Sequence, residues 1–287
     1  MFPPGCPPNG RNNVDVSTEE FPYIPLEPKG WRMAMGLRPL DLAKWLEVDA
    51  HRDVELDLKR QLLESSFGVV VATNPAGDVG SREVLREVTA FLATNHPGLA
   101  VTVDVDEHPI VAAARLVQED LCLLVRSDTW RLQAACVCFP SRWNLASKLG
   151  TTLDDIHRPV PLYDAELSRP TNAFFDRLRS DRSFWRLNWT LIDSPALHQP
   201  TAARRSPHGD LAEWFFRVER QTLRRLPGSD TVLFSIHNYV GSAKELCDSH
   251  EEFGPTLLQS LDSAPLEMQE YKGWRGVADR LRGALVG

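Results

Sequence analysis

Leu121-Cys122-Leu123-Leu124-Val125-Arg126 and Trp130-Arg131-Leu132-Gln133-Ala134-Ala135-Cys136-Val137-Cys138-Phe139 are two β-rich runs parted by Ser127-Asp128-Thr129. Apolar runs of this length, separated by three turn formers, predict a β-hairpin. Downstream, residues 143–149 predict a helix stopped by Gly150, and residues 153–157 a one-turn helix ended by Arg158-Pro159. Residues 174–179 predict another helix, and the alternation over 184–192 a strand that Asp193-Ser194-Pro195 ends. Residues 195–209, rich in Pro, Arg and Ser, predict a surface loop. The run 215–226 fits helix or strand on pattern alone. The turn Pro227-Gly228-Ser229-Asp230 and the β-branched run 231–240 behind it decide for strand.

The resulting order is two strands, short helices, then three strands. The expectation is an α+β fold that resembles a PAS domain: a five-stranded antiparallel sheet with helices between strands two and three, plus N-terminal and C-terminal helical extensions. Seven of the 21 prolines fall in residues 1–28, which predicts an extended proline-rich arm. Residues 29–117 read as a mostly helical region. Structure begins near Arg38-Pro39-Leu40-Asp41; Leu42, Trp45 and Leu46 share one helical face; Val54, Leu58 and Leu62 continue the spacing. Ser81 is the expected N-cap of a helix over 82–94 that Pro97 stops. Residues 118–242 form the expected core, and residues 243–287 close it with helices over 243–261 and 275–286.

A chain of 287 residues, 43% hydrophobic and 25% charged, is neither disordered nor fibrous. Folding at this size buries roughly 70–75% of the unfolded chain's surface, so no disulfide or structural metal is needed. A formal charge of −7 argues against a broad nucleic-acid-binding surface. Five cysteines at no framework spacing, with Cys122, Cys136 and Cys138 inside apolar runs, read as reduced core thiols. No segment has the length of a signal peptide or membrane helix, so a soluble cytoplasmic protein is expected.

The sequence has no Walker loop, G-x-G-x-x-G, G-x-S-x-G or H-E-x-x-H, and Cys136-x-Cys138 lacks the second pair of a zinc knuckle. Among eight histidines, His157 stands apart. It ends a one-turn helix, and Pro159 and Pro161 stiffen the backbone behind it, as an axial metal ligand held in one rotamer requires.

Cys138-Phe139-Pro140-Ser141-Arg142-Trp143, Lys148-Leu149-Gly150, Ile156-His157-Arg158-Pro159-Val160-Pro161, Arg186-Leu187-Asn188-Trp189 and the block from Arg217 to Pro227 follow in order. With Gly36-Leu37-Arg38-Pro39-Leu40 and Lys59-Arg60-Gln61-Leu62-Leu63 upstream, the chain resembles the haem-dependent oxidative N-demethylase alpha-subunit family, also described as dimethylamine monooxygenase-like. The resemblance implies a haem b in a PAS-type domain that activates dioxygen and demethylates a small secondary amine. It also implies electrons from NADPH through flavin and iron–sulfur cofactors on partner reductase subunits, with no flavin or cluster on this chain. It makes His157 the iron ligand, with Pro159 and Asn188 beside the cofactor, and offers Arg217, Glu219 and Arg220 for the opposite side. A guanidinium stabilises reduced dioxygen and a carboxylate holds a protonated amine. On a strand, Arg217, Glu219 and Gln221 share one face, and Val218, Arg220 and Thr222 the other, leaving open which faces the cofactor. His237-Asn238 departs from the arginine and threonine more usual in the family, so dimethylamine specificity is not carried over. Two further readings compete: a haem-binding PAS gas or redox sensor without turnover, and a haem-free scaffold whose arm and Arg204-Arg205 loop dock a partner. No output segment follows Leu261, which favours the enzyme.

Overall fold

The expected hairpin forms. β3 (Asp120–Arg126) and β4 (Trp130–Cys136) pair antiparallel around the three-residue turn, with a bulge at Leu123/Leu124 that leaves Gln133 unpaired on the opposite strand. The computed structural model describes residues 21–201 and 210–286. Residues 1–20 of the arm, Cys6, His208 and the Arg204-Arg205 loop lie outside the described residues. The remaining long strands are β5 (Phe184–Ile192), β6 (Phe215–Arg225) and β7 (Val232–Ser242).

The tight β6–β7 connection needs its glycine. A Cβ on Gly228 would lie 2.9 Å from Glu83 Oε1, whose carboxylate accepts the Gly228 and Ser229 N–H groups at 2.7 and 2.6 Å. Glu83 thus satisfies two turn amides that no strand partner reaches.

Two short strands come from the N-terminal region: β1 (Arg38–Pro39) pairs with β5, and β2 (Val71–Thr73) with β4. Among the described residues the antiparallel sheet therefore has seven strands in the order β1-β5-β6-β7-β3-β4-β2. The Arg38-Pro39 step begins a sheet edge, where a missing N–H is tolerated, instead of a helix. Only a 3-10 turn (Leu42–Lys44), capped by Asp41, follows it. Trp45 and Leu46 are buried while Leu42 is 45% exposed, so the expected common face does not exist.

The helices are α1 (Arg52–Ser65), α2 (Phe67–Val70), α3 (Asp78–Asn95), α4 (Pro109–Ala114), α5 (Leu153–His157), α6 (Ser168–Arg177), α7 (Ala243–Ser249), α8 (Phe253–Ser263), α9 (Leu266–Lys272) and α10 (Val277–Val286). Ser81 lies inside α3, donating to the Gly77 carbonyl at 2.8 Å, because the helix starts earlier than its side chain suggested. Residues 143–149 are turns; Ser147 bonds Asn144 locally and competes with a helix. Gly150 does take the left-handed φ, +75°. The expected closing helices divide, with α7 and α8 over 243–263 and α9 added before α10.

The sheet separates two layers. Its back face packs on α1, α3 and α4 through Leu121, Leu123, Ala134 and Leu233, and on α7, α8 and α10 through Leu191, Phe216 and Val218. Its front face meets the segment between β4 and β5: Leu124, Leu223 and Val232 pack on Leu153 and Phe175, and Cys122 and Ala135 on Leu145 and Ile156. Cys122, Cys136 and Cys138 are buried free thiols.

Candidate functional site

On the front face, β5 presents Arg186 and Asn188 opposite Gln221 and Glu219 of β6, and Thr190 opposite Arg217. Paired residues of an antiparallel ladder project to one side, so these six side chains form a polar strip. Arg186, Asn188, Glu219 and Gln221 are half-buried. Glu219 Oε2 accepts from the Asn188 and Gln221 amides at 3.1 and 2.8 Å, which fixes the carboxylate between two neutral donors.

Helix α5 sets His157 over this face. Its start is a capping box: Thr152 accepts from the Asp155 N–H while Asp155 accepts from the Thr152 N–H. Asp154 accepts from Ser168 and Asn172 at 2.8 and 3.0 Å, which ties α5 to α6. His157 Nδ1 lies 2.8 Å from the Leu153 carbonyl, and the ring stacks on Tyr163 with centroids 4.6 Å apart and planes 14° apart. A carbonyl only accepts, so Nδ1 carries the proton and the Nε2 lone pair is free. Burial pushes the His157 pKa down, and the charges of Arg186 and Lys148 add to this. The imidazole is therefore neutral near pH 7. The ring is largely buried and keeps some solvent-accessible surface.

Lys148 donates to the Ile156 carbonyl at 2.8 Å and pins the turn just before His157; burial lowers its pKa. Pro159 is exposed in the turn behind α5, where the Val160 N–H bonds the His157 carbonyl at 2.8 Å. Arg186 Nε is buried with no hydrogen-bond partner. Burial lowers the Arg186 pKa, and the charge of Glu219 partly restores it.

The sequence-expected residues divide. His157, Asn188 and Glu219 come together on the front face. Arg217 lies on the same face at 1% exposure, but its donors are used: Nε and one terminal nitrogen reach Asn238 Oδ1 at 3.1 and 2.8 Å, that same terminal nitrogen reaches the Phe139 carbonyl at 2.6 Å, and the other reaches the Leu197 carbonyl at 3.1 Å. It ties two loops to the sheet. Arg220, offered with the same block for the side of the cofactor opposite His157, projects from the back face, opposite to Arg217 and Glu219 as strand alternation implied. There it donates to the Trp45 and Lys44 carbonyls at 3.0 and 2.5 Å and pairs with Glu47 at 3.0 Å. His237 also projects from the back face, between Glu119 and Asp49 at 3.1 and 3.2 Å, whereas Asn238 holds Arg217 in front. Sequence reasoning passed over Arg186, Lys148 and Tyr163. Arg186 had a signal, since it stands two residues from Asn188 on one strand.

An α+β protein that holds a neutral histidine with one free nitrogen above a strip of separated charges presents a donor atom of the kind haem iron takes. The chain belongs to the haem-dependent oxidative N-demethylase, alpha subunit-like family, whose model matches residues 36–282. That span takes in all seven strands and both flanking helical regions. The residues present fit a haem: His157 offers an axial nitrogen, and the unpartnered guanidinium of Arg186 offers a counter-charge for a group bearing carboxylates.

Proposed function

We propose that the chain is a haem-dependent monooxygenase that removes a methyl group from a small secondary amine, with His157 as the axial ligand of a haem b. The observation that carries this is the Nδ1–Leu153 hydrogen bond, which leaves Nε2 as the ligating atom in a chain of a haem-dependent family. The cofactor, when bound, supplies the redox chemistry that dioxygen activation requires. The chain's own residues do the rest. The hydrogen bond and the Tyr163 stack hold the imidazole in one orientation, and Lys148 and Pro159 stiffen the turn around it. Glu219 accepts an N–H of the protonated amine, and the Asn188 and Gln221 amides keep its carboxylate aimed. Arg217 and Arg220 serve the fold in this reading.

The strands β3 to β7 support a PAS-like core over residues 118–242. They adjoin in the order β4-β3-β7-β6-β5, and α5 and α6 lie between the second and third of them in sequence. The regions before and after it are then extensions, which add β1 and β2 to the sheet and pack α1, α3, α4, α7, α8 and α10 on its back. Electrons come from a separate reductase carrying flavin and an iron–sulfur cluster and drawing on NADPH, in keeping with an alpha subunit-like chain. Buried free thiols suit a reducing cytoplasm, and no helix among the described residues is long and apolar enough to cross a membrane.

The test is absorption spectroscopy of the purified chain with haem, before and after dithionite and carbon monoxide. The wild type should show a Soret band that shifts with carbon monoxide, and His157→Ala should lose most bound haem. Full haem retention by the variant with an unchanged spectrum removes His157 as the ligand. With a competent reductase, formaldehyde release from a secondary amine distinguishes an enzyme from a gas sensor.

A further inference from the structure

Buried guanidinium groups are costly unless anions or carbonyls take up their donors. In this molecule the rule holds for arginine after arginine: Arg217 and Arg220 bond carbonyls, Arg142 pairs with Asp193, and Arg224 with Glu87. Arg186 is the exception among them. Its Nε is buried with no hydrogen-bond partner, as is that of Arg220, but Arg220 has two carbonyls and Glu47 whereas no hydrogen bond or ion pair joins the Arg186 guanidinium to any of the described residues. Glu219 lies near enough to favour the charge but does not pair with it. The reason is in the ladder. Arg186 stands opposite Gln221 and Asn188 opposite Glu219, so the two charges are diagonal neighbours, and the Asn188 and Gln221 amides hold the carboxylate.

We infer that Arg186 is the anion-binding residue of the front-face strip and takes a carboxylate. A planar fork of donors matches a carboxylate in a bidentate way, and half-burial strengthens such a bond. The inference rests on the haem reading for this face, where the charge of Arg186 is also felt by His157. Two sources supply this chemistry: a propionate of the haem, or the carboxylate of a substrate that is an N-methylated amino acid. The second would set the ammonium on Glu219 and the carboxylate on Arg186.

Two titrations separate the sources. In the first, apo-chain is titrated with haem and with haem dimethyl ester, whose carboxylates are blocked, for wild type, Arg186→Leu, Arg186→Gln and Arg186→Lys. If Arg186 holds a propionate, wild type prefers the free acid by about tenfold or more, Arg186→Leu and Arg186→Gln abolish the preference, and Arg186→Lys keeps part of it. In the second, haem-loaded chain is titrated with N-methylglycine and with dimethylamine while the Soret band is followed. If Arg186 holds a substrate carboxylate, the leucine and glutamine variants lose the response to N-methylglycine and keep that to dimethylamine. Variants that match wild type in both titrations overturn the inference. A wild-type chain that takes up no haem overturns the haem reading instead. The carboxylate site then stands if N-methylglycine raises the melting temperature of wild type and not of Arg186→Leu, and falls if it stabilises both alike or neither.

Discussion

Neighbouring residues of β6 meet opposite circumstances on the two sides of the sheet. On the back face, Arg220 bonds two carbonyls and Glu47, while His237 of β7 sits between Glu119 and Asp49. Tyr23 and Tyr239 donate to the Glu47 carboxylate, Gln118 bridges Asp49 and Glu55, and Lys59 donates to the Val117, Gln118 and Glu119 carbonyls. Cations there are answered by carboxylates or carbonyls at contact distance. On the front face, Arg186 and Glu219 share one strip without pairing. Charge density alone would mark the back face as the site. What distinguishes a binding surface is charge that the fold leaves unanswered, because a partnered ion offers a ligand nothing that it does not already have.

The comparison is broken most forcefully at His237. Burial opposes its charge, but Glu119 and Asp49 outweigh this and raise its pKa to about 10. At 0% exposure it is an imidazolium between two carboxylates, and it clamps the segment before α1 onto the sheet. His237→Leu leaves buried Glu119 and Asp49 without their cation and should cost about 3–5 kcal/mol in urea unfolding. Haem bound per folded molecule should stay at the wild-type value. A loss under 1 kcal/mol, or loss of haem from folded protein, would show that the two faces are not separate in function.

The same clamp sets a pH dependence. A raised histidine pKa stabilises fully below the unfolded value of about 6.5 and progressively less up to about 10. Burial also lifts Glu55 to about 7, so the folded state holds an extra proton between about pH 4.5 and 7 and loses stability across that window as pH rises. Asp49, lowered to about 2 because its bonds to His237 and Gln118 outweigh burial, adds stability that disappears only as pH falls below about 4. Between about pH 7 and 8.5, where His237 alone of these groups titrates, stability should therefore fall by at most ~1.4 kcal/mol per pH unit for one proton. The slope should flatten in His237→Leu. An equal slope in both proteins would place the responsible proton elsewhere.

How much of this was legible in the sequence follows from what stabilises each piece. The five long strands were legible because alternation and turn residues are local signals, and so was α5, whose capping box and following prolines are written in consecutive positions. β1 and β2 were not, since two- and three-residue strands exist only through the partners that pair with them. The face of β6 that meets α5 was not legible either. Both faces of β6 carry arginine, and only the layers packed against Leu223 and Val218 decide which side meets α5. His237-Asn238 shows the same limit. One residue enters the back-face clamp and the other braces Arg217, a division that period-two alternation implies but that no residue type announces.

The smallest expected effect on stability sharpens the contrast. Glu219→Gln keeps the shape of the side chain and removes its charge. Asn188 and Gln221 are neutral donors that an amide oxygen can still satisfy, and the half-buried carboxylate has no ion-pair partner to strand. Unfolding free energy should therefore move by less than about 1 kcal/mol, against the several lost at His237. Binding should move more. A protonated amine loses its charge-assisted bond, and its affinity, read from the Soret shift of haem-loaded chain, should fall about tenfold or more. Unchanged amine affinity would remove Glu219 from the site, and a stability loss as large as that of His237→Leu would mean that the front-face charge is structural after all.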